Sequence, residues 1–169
     1  MKSKLIAASC RAFLAAALLG MTSPGWADDA SGDLQAGIEA FNRGDLPGAM
    51  VLYEKAAEAG SPEAQVRLAY LLDYAEDNER AVHWYQAAAD QGYTDGVAGL
   101  ASMYAKGEGV EQDLQRALEL YERAGEAGDQ GSIRVLTSAY EKGELGVEKD
   151  AGQAAYWRSK QAAPDTGGN

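Results

Sequence analysis

The feature that most constrains the fold is a segment that occurs four times. "DLPGAMVLYEKAAEAG" (45–60), "DNERAVHWYQAAADQG" (77–92), "DLQRALELYERAGEAG" (113–128) and "DAGQAAYWRSKQAAPD" (150–165) align without gaps. With Ala49, Ala81, Ala117 and Ala154 as markers, the spacings are 32, 36 and 37 residues. An Asp stands four residues before each marker: Asp45, Asp77, Asp113 and Asp150. Three residues after it comes Leu52, Trp84, Leu120 or Trp157; at four, Tyr53, Tyr85, Tyr121 or Arg158. Small residues dominate at seven and eight, as in Ala56-Ala57, Ala88-Ala89 and Ala124-Gly125. Apolar groups at i, i+3, i+4, i+7 and i+8 mark one face of an α-helix.

The punctuation agrees with that periodicity. Each Asp is placed to accept from the open N–H groups of a first turn. Gly60, Gly92 and Gly128 follow the last periodic residue, where a left-handed glycine closes a helix. A second helix precedes each of these: "AQVRLAYLL" (64–72), "GVAGLASMY" (96–104) and "SIRVLTSAY" (132–140), with "LQAGIEAFNRG" (34–44) opening the first unit. Ser61-Pro62-Glu63 supplies a cap, a first-turn proline and an early acid. One such pair cannot bury its own apolar stripe; four stacked pairs can. The reading is an all-α, right-handed α-solenoid of about four helix-turn-helix repeats over residues 28–163, with 164–169 as a tail.

The hinge before the third segment, "KGEGV" (106–110), has the glycines of a phosphate loop. It follows a helix, however, and not the strand that phosphate motifs require. Glu108 and Glu111 would also repel the anion. Gly107 is expected to close the first helix, Val110 to tuck into the core and Asp113 to cap the second.

This hinge carries a family resemblance. Residues 100–128 place Leu100, Ala101, Tyr104, Gly107, Gly109, Val110, Asp113, Ala117, Leu120, Tyr121, Ala124 and Gly128 as the Sel-one-like repeats do. Residues 136–162 repeat the pattern with Leu136, Tyr140, Gly143, Gly146, Val147, Asp150, Ala154, Trp157 and Ala162, and one residue inserted in the hinge. The chain resembles the Sel-one-like repeat family, relatives of the tetratricopeptide repeats. Its two N-terminal units lack the Gly-x-Gly-Val hinge and are closer to tetratricopeptide units. The resemblance implies a protein–protein interaction scaffold with the first helix of each unit facing an inner groove. Carried through the alignment, that groove shows Leu34, Ile38 and Phe41, then Val66, Tyr70 and Tyr74, then a polar end with Ser102, Lys106, Arg134 and Ser138. The partner-binding residues expected are Ile38, Phe41, Val66, Tyr70, Tyr74 and Arg134. Tyr70 and Tyr74 do not recur in the other units, whereas Tyr53, Tyr85, Tyr121, Trp84 and Trp157 recur in register and are expected in the core. The competing reading of Leu34, Ile38 and Phe41 is that the chain's own N-terminal segment covers them.

Residues 1–27 read as a secretory signal peptide. Lys2, Lys4 and Arg11 give a positive start, Ala12 to Met21 is an apolar run of ten, and small residues stand at 25 and 27. The run is short for a bilayer-spanning helix. Cys10 precedes the run, the wrong side for a lipid-modified cysteine. Cleavage after Ala27 would leave 142 residues without cysteine, so packing alone must hold the fold. Three of the 15 basic residues and none of the 26 acidic ones lie in that leader, which leaves a net charge of −14. Such a field disfavours nucleic acid and anionic membranes and favours basic partners. The expected location is periplasmic or secreted, with no membrane insertion after cleavage.

No catalytic constellation stands out. His83 is the sole histidine and sits at a variable register position, so it is expected at the surface. Glu76, Asp77 and Glu79 form an acidic turn without the glycine and alternating oxygen ligands of a calcium loop. No nucleophile has a base beside it. Some cysteine-rich secreted members of the resembled family are associated with β-lactam binding, but this chain lacks their cysteines. The expectation is a non-catalytic adaptor needing no cofactor and no metal, with an acidic inhibitor or immunity-type protein against a basic toxin or enzyme as the alternative. Oligomeric state is left open.

Overall fold

The computed structural model describes residues 26–161. The leader read at 1–27 lies outside them except for Trp26 and Ala27, which open the first helix; the tail read at 164–169 lies wholly outside. Eight α-helices follow one another among the described residues: α1 (Trp26–Asn42), α2 (Leu46–Glu58), α3 (Pro62–Tyr74), α4 (Asn78–Asp90), α5 (Thr94–Lys106), α6 (Leu114–Glu126), α7 (Gln130–Lys142) and α8 (Ala151–Ser159). Each packs on its neighbours in sequence, which makes four helix pairs stacked into a solenoid. Beyond the sequential neighbours, the first helices of units two and three, α3 and α5, also approach one another.

The caps show why the helices start and stop where they do. The carboxylates of Asp45, Asp113 and Asp150 accept from the first-turn N–H groups of Gly48 at 3.0 Å, Arg116 at 2.9 Å, and Gly152 and Gln153 at 2.8 and 3.0 Å. Asp129 does the same for α7 through Ser132, at 2.6 Å. Asp77 occupies the equivalent position before α4 but makes no such bond. Its carboxylate turns to the Arg80 guanidinium, 3.2 Å away, because its own helix offers a cation one turn on.

The core is built from the in-register positions. Ala49, Ala56, Ala81, Ala88, Ala117 and Ala124 are all buried, and these small side chains let the helices approach closely. Leu68, Leu72, Leu100, Ile133 and Leu136 fill the space between pairs. Trp157 anchors α8 and is also buried, whereas Trp84, expected in the core, is only half-buried against it.

The hinge of "KGEGV" is a structural joint. Gly107 closes α5 at φ +76° and donates to the Met103 carbonyl at 2.8 Å. Gly109, at φ +69°, lies against the backbone of Asn78, where a β-carbon would stand 2.3 Å from the carbonyl oxygen. The hinge thus docks on the first turn of the preceding unit's second helix. Unit four repeats the arrangement: Gly143 closes α7 and Gly146 meets Leu114, the first residue of α6. The inserted residue there is absorbed with Leu145 at φ +54°. In both hinges the capping Asp donates its N–H back to a tyrosine carbonyl, Asp113 to Tyr104 at 3.0 Å and Asp150 to Tyr140 at 2.9 Å. Val110 is only half-buried, at the hinge surface. The N-terminus of α6 already holds the Asp113 carboxylate, which is where a phosphate would have to sit.

Candidate partner-binding groove

The recurring tyrosines of the second helices reach through to the inner side. Tyr53 and Tyr85 are 1% and 6% exposed, so they belong to the core, yet both also floor a cavity of about 470 Å³. Phe41 of α1, Val66 and Tyr70 of α3, and the bare backbone of Gly99 on α5 form its walls. Glu63, Arg67 and Asp95 place charges on its lining. Phe41 and Tyr70 are shared with a shallower depression of about 140 Å³, completed by Leu46, Leu71 and Tyr74. The two hollows are therefore neighbours across a common aromatic ridge.

That ridge is exposed. Phe41, Tyr70 and Tyr74 present 37%, 55% and 75% of their surface, an uncovered aromatic patch on the first two units. Monomers rarely leave such groups clustered without a partner. Of the six residues expected from sequence, four come together here: Phe41, Val66, Tyr70 and Tyr74. Ile38 lies half-buried against the core and lines neither hollow. Arg134, on α7, is exposed and lines neither hollow.

The charges have defined partners. The Arg67 guanidinium donates through Nε and Nη2 to a single oxygen of Glu63, at 3.0 and 2.7 Å, one helical turn earlier. Burial raises the Tyr85 phenol well above its usual range, and Asp73 and Tyr70 push the same way. Burial likewise raises Tyr53, with Arg67 nearby offsetting part of the effect. The Tyr53 hydroxyl is buried and makes no hydrogen bond of good geometry. At the polar end, burial raises Tyr121, while Ser102 and Lys106 oppose the shift. Lys106 is itself held above its ordinary value chiefly by Glu108, 2.9 Å away.

Sequence reasoning missed Tyr53 and Tyr85 as groove floor, because a helical stripe tells which residues are buried but not what lies beneath a cavity. It also missed Glu63, Arg67 and Asp95. The usable signal was that Arg67 and Gly99 share one register position, where the other units carry Gln35 and Val135. His83 is exposed, edge-on to Trp84 with ring centres 5.0 Å apart. Among the described residues no cluster of His, Cys, Asp and Glu is arranged to hold a metal. None of their helices is long and apolar enough to cross a membrane.

Residues 37–61, 62–93, 95–129 and 138–160 each match the Sel1 repeat. The chain belongs to the Sel1 repeat family. Proteins built from Sel1 repeats are in general non-catalytic scaffolds for protein–protein contacts. Two solved structures of the same fold resemble it. A Sel1 repeat protein from Oxalobacter formigenes superposes with a TM-score of 0.70 at 30% identity, over 79% of this chain and 58% of its own. A protective antigen of uropathogenic Escherichia coli strains, with the same repeat fold, gives 0.71 at 28% identity, over 82% of this chain and 31% of its own. The chain thus spans less than two thirds of either relative's length. Among curated proteins, none matches it closely enough to carry an argument.

Proposed function

We propose that this Sel1 repeat protein is an exported, non-catalytic adaptor that holds a segment of a partner protein in its inner groove, at the end formed by the first two units. One observation carries the reading: a cavity of about 470 Å³ whose walls include the exposed aromatic rings of Phe41 and Tyr70. A cavity of that size with an apolar lining and a few placed polar groups suits anchoring side chains. Tyrosine is a preferred anchor of protein interfaces. Export is supported by the positive, apolar and small-residue layout of residues 1–27.

The test is affinity capture from cells producing the tagged full chain, beside a Phe41→Ala/Tyr70→Ala variant of equal helicity, with cell fractionation of both. A partner retained by the native form and lost from the variant supports groove binding. Equal capture by both would place the binding surface elsewhere. Recovery of the mature chain only in the cytoplasm would remove the export part. The net charge of −11 favours a second reading, an acidic inhibitor of a basic toxin or enzyme. Its signature is an association rate that falls steeply with salt.

A further inference from the structure

We infer that the groove cavity takes a basic side chain, a lysine or arginine carried beside an apolar residue on the partner segment. The inference rests on the groove reading and names the chemistry of its occupant. The cavity is walled and floored by aromatic rings, and the electron-rich faces of such rings attract cations. Its charges are unbalanced. Glu63 and Asp95 share the lining with one cation, Arg67, whose Nε and Nη2 both donate to one oxygen of Glu63. The other Glu63 oxygen and the whole Asp95 carboxylate are left to accept. None of the ion pairs among the described residues engages Asp95. Asp73, one turn along α3 from Tyr70, adds a further negative charge whose field reaches Tyr85.

A second observation comes from the floor. The Tyr53 side chain is 1% exposed, lines the cavity, and its hydroxyl makes no hydrogen bond of good geometry, although the Arg67 guanidinium lies near it. A buried hydroxyl left unpaired is costly, and a donor from a ligand would relieve that. An ammonium or guanidinium supplies only donors. An acidic side chain would meet the like charges of Glu63 and Asp95, and the one cation there, Arg67, is already paired with Glu63. At longer range, the net charge of −11 draws basic segments toward the protein.

The experiment uses the full chain and two fluorescein-labelled peptides of equal length and apolar content, one carrying Lys and Arg, the other Asp and Glu. Binding is read by fluorescence anisotropy at low and high salt. The basic peptide is expected to bind and the acidic one not. Asp95→Asn should weaken binding about tenfold, the scale of one charged hydrogen bond. Tyr70→Ala should weaken it as well, and the remote surface variant Glu148→Gln should leave it unchanged. Equal affinity for both peptides, lost in Tyr70→Ala, would keep the groove and overturn the basic occupant. Binding of the basic peptide that neither Asp95→Asn nor Tyr70→Ala alters would reflect general attraction to an acidic surface and overturn both. Failure of both peptides to bind would also overturn the inference.

Discussion

The Tyr85 ring packs on the bare α-carbon of Gly99, so closely that a β-carbon at position 99 would stand 2.3 Å from Cε1. This contact joins α4 to α5 and shapes the cavity at the same time, since both residues line it. Replacing Gly99 with Ala would add helix propensity worth up to about 1 kcal/mol. It would also force the ring out of a packed site, at a cost of about 1–3 kcal/mol. The expected net result is destabilisation, seen as a lower urea midpoint with an unchanged slope. A Gly99→Ala/Tyr85→Leu double variant should lose less than the sum of the two singles, because the clash is then relieved. Additive losses would show that the ring does not bear on Gly99.

The docking of the hinge on the preceding unit predicts a difference between two glycines. Gly109 and Gly128 both have positive φ, but a β-carbon at 109 meets the Asn78 carbonyl while one at 128 meets open space. Gly128→Ala should therefore cost only the left-handed conformation, about 1–2 kcal/mol. Gly109→Ala should cost that and a backbone displacement besides, and so lower the thermal midpoint by clearly more. Equal effects of the two substitutions would mean that the hinge does not rest on α4.

The capping residues give a sharper contrast. Asp113 accepts from the first turn of α6, whereas Asp77 pairs with exposed Arg80 and accepts from no first-turn N–H. Asp113→Ala should destabilise by about 1 kcal/mol, the usual worth of a cap. Asp77→Ala should cost less, because exposed ion pairs contribute about 0–1 kcal/mol. Chemical denaturation of the two variants side by side decides this. A larger loss at Asp77 would mean that its carboxylate caps α4 in solution.

Asp77 also marks where the sequence stopped being informative. Four aligned aspartates define four helix starts, because backbone N–H groups at a first turn always need an acceptor. Which acceptor they get depends on the side chains nearby, and Arg80 altered one of the four. The stripe of Tyr53, Tyr85 and Tyr121 was legible as buried for the same periodic reason. Its second role as a cavity floor was not, since a cavity is set by what neighbouring helices leave unfilled: Gly99 opposite Tyr85 and Arg67 beside Tyr53. Phe41, Val66, Tyr70 and Tyr74 were legible as groove residues through the register of the first helices. Register put Arg134 at the polar end of the same groove, and it stands exposed on α7, lining neither hollow.

The tyrosine stripe also predicts how stability falls in alkali. Tyr53, Tyr85 and Tyr121 each have a phenol raised above the ordinary 10.0, with burial the leading cause. The folded state therefore keeps protons that the unfolded chain releases once the pH passes 10. Below the ordinary value both states are protonated, and this contribution to stability is fully present. As pH rises from there toward the raised folded values, the unfolded state loses protons first and stability declines. The limiting slope is about 1.4 kcal/mol per pH unit for each such group. Urea midpoints should thus be level with respect to these groups below about pH 9 and drop steeply above the ordinary tyrosine value. Tyrosinate absorbance and helical circular dichroism, followed together through an alkaline titration, should show a late set of tyrosines ionising only as helix is lost. Tyr85→Phe should remove one of that set and shift the loss of helix to higher pH. Ionisation of every tyrosine while the helices stay intact would show that the phenols lie open to solvent, and the cavity floor would then not be the buried tyrosine row described above.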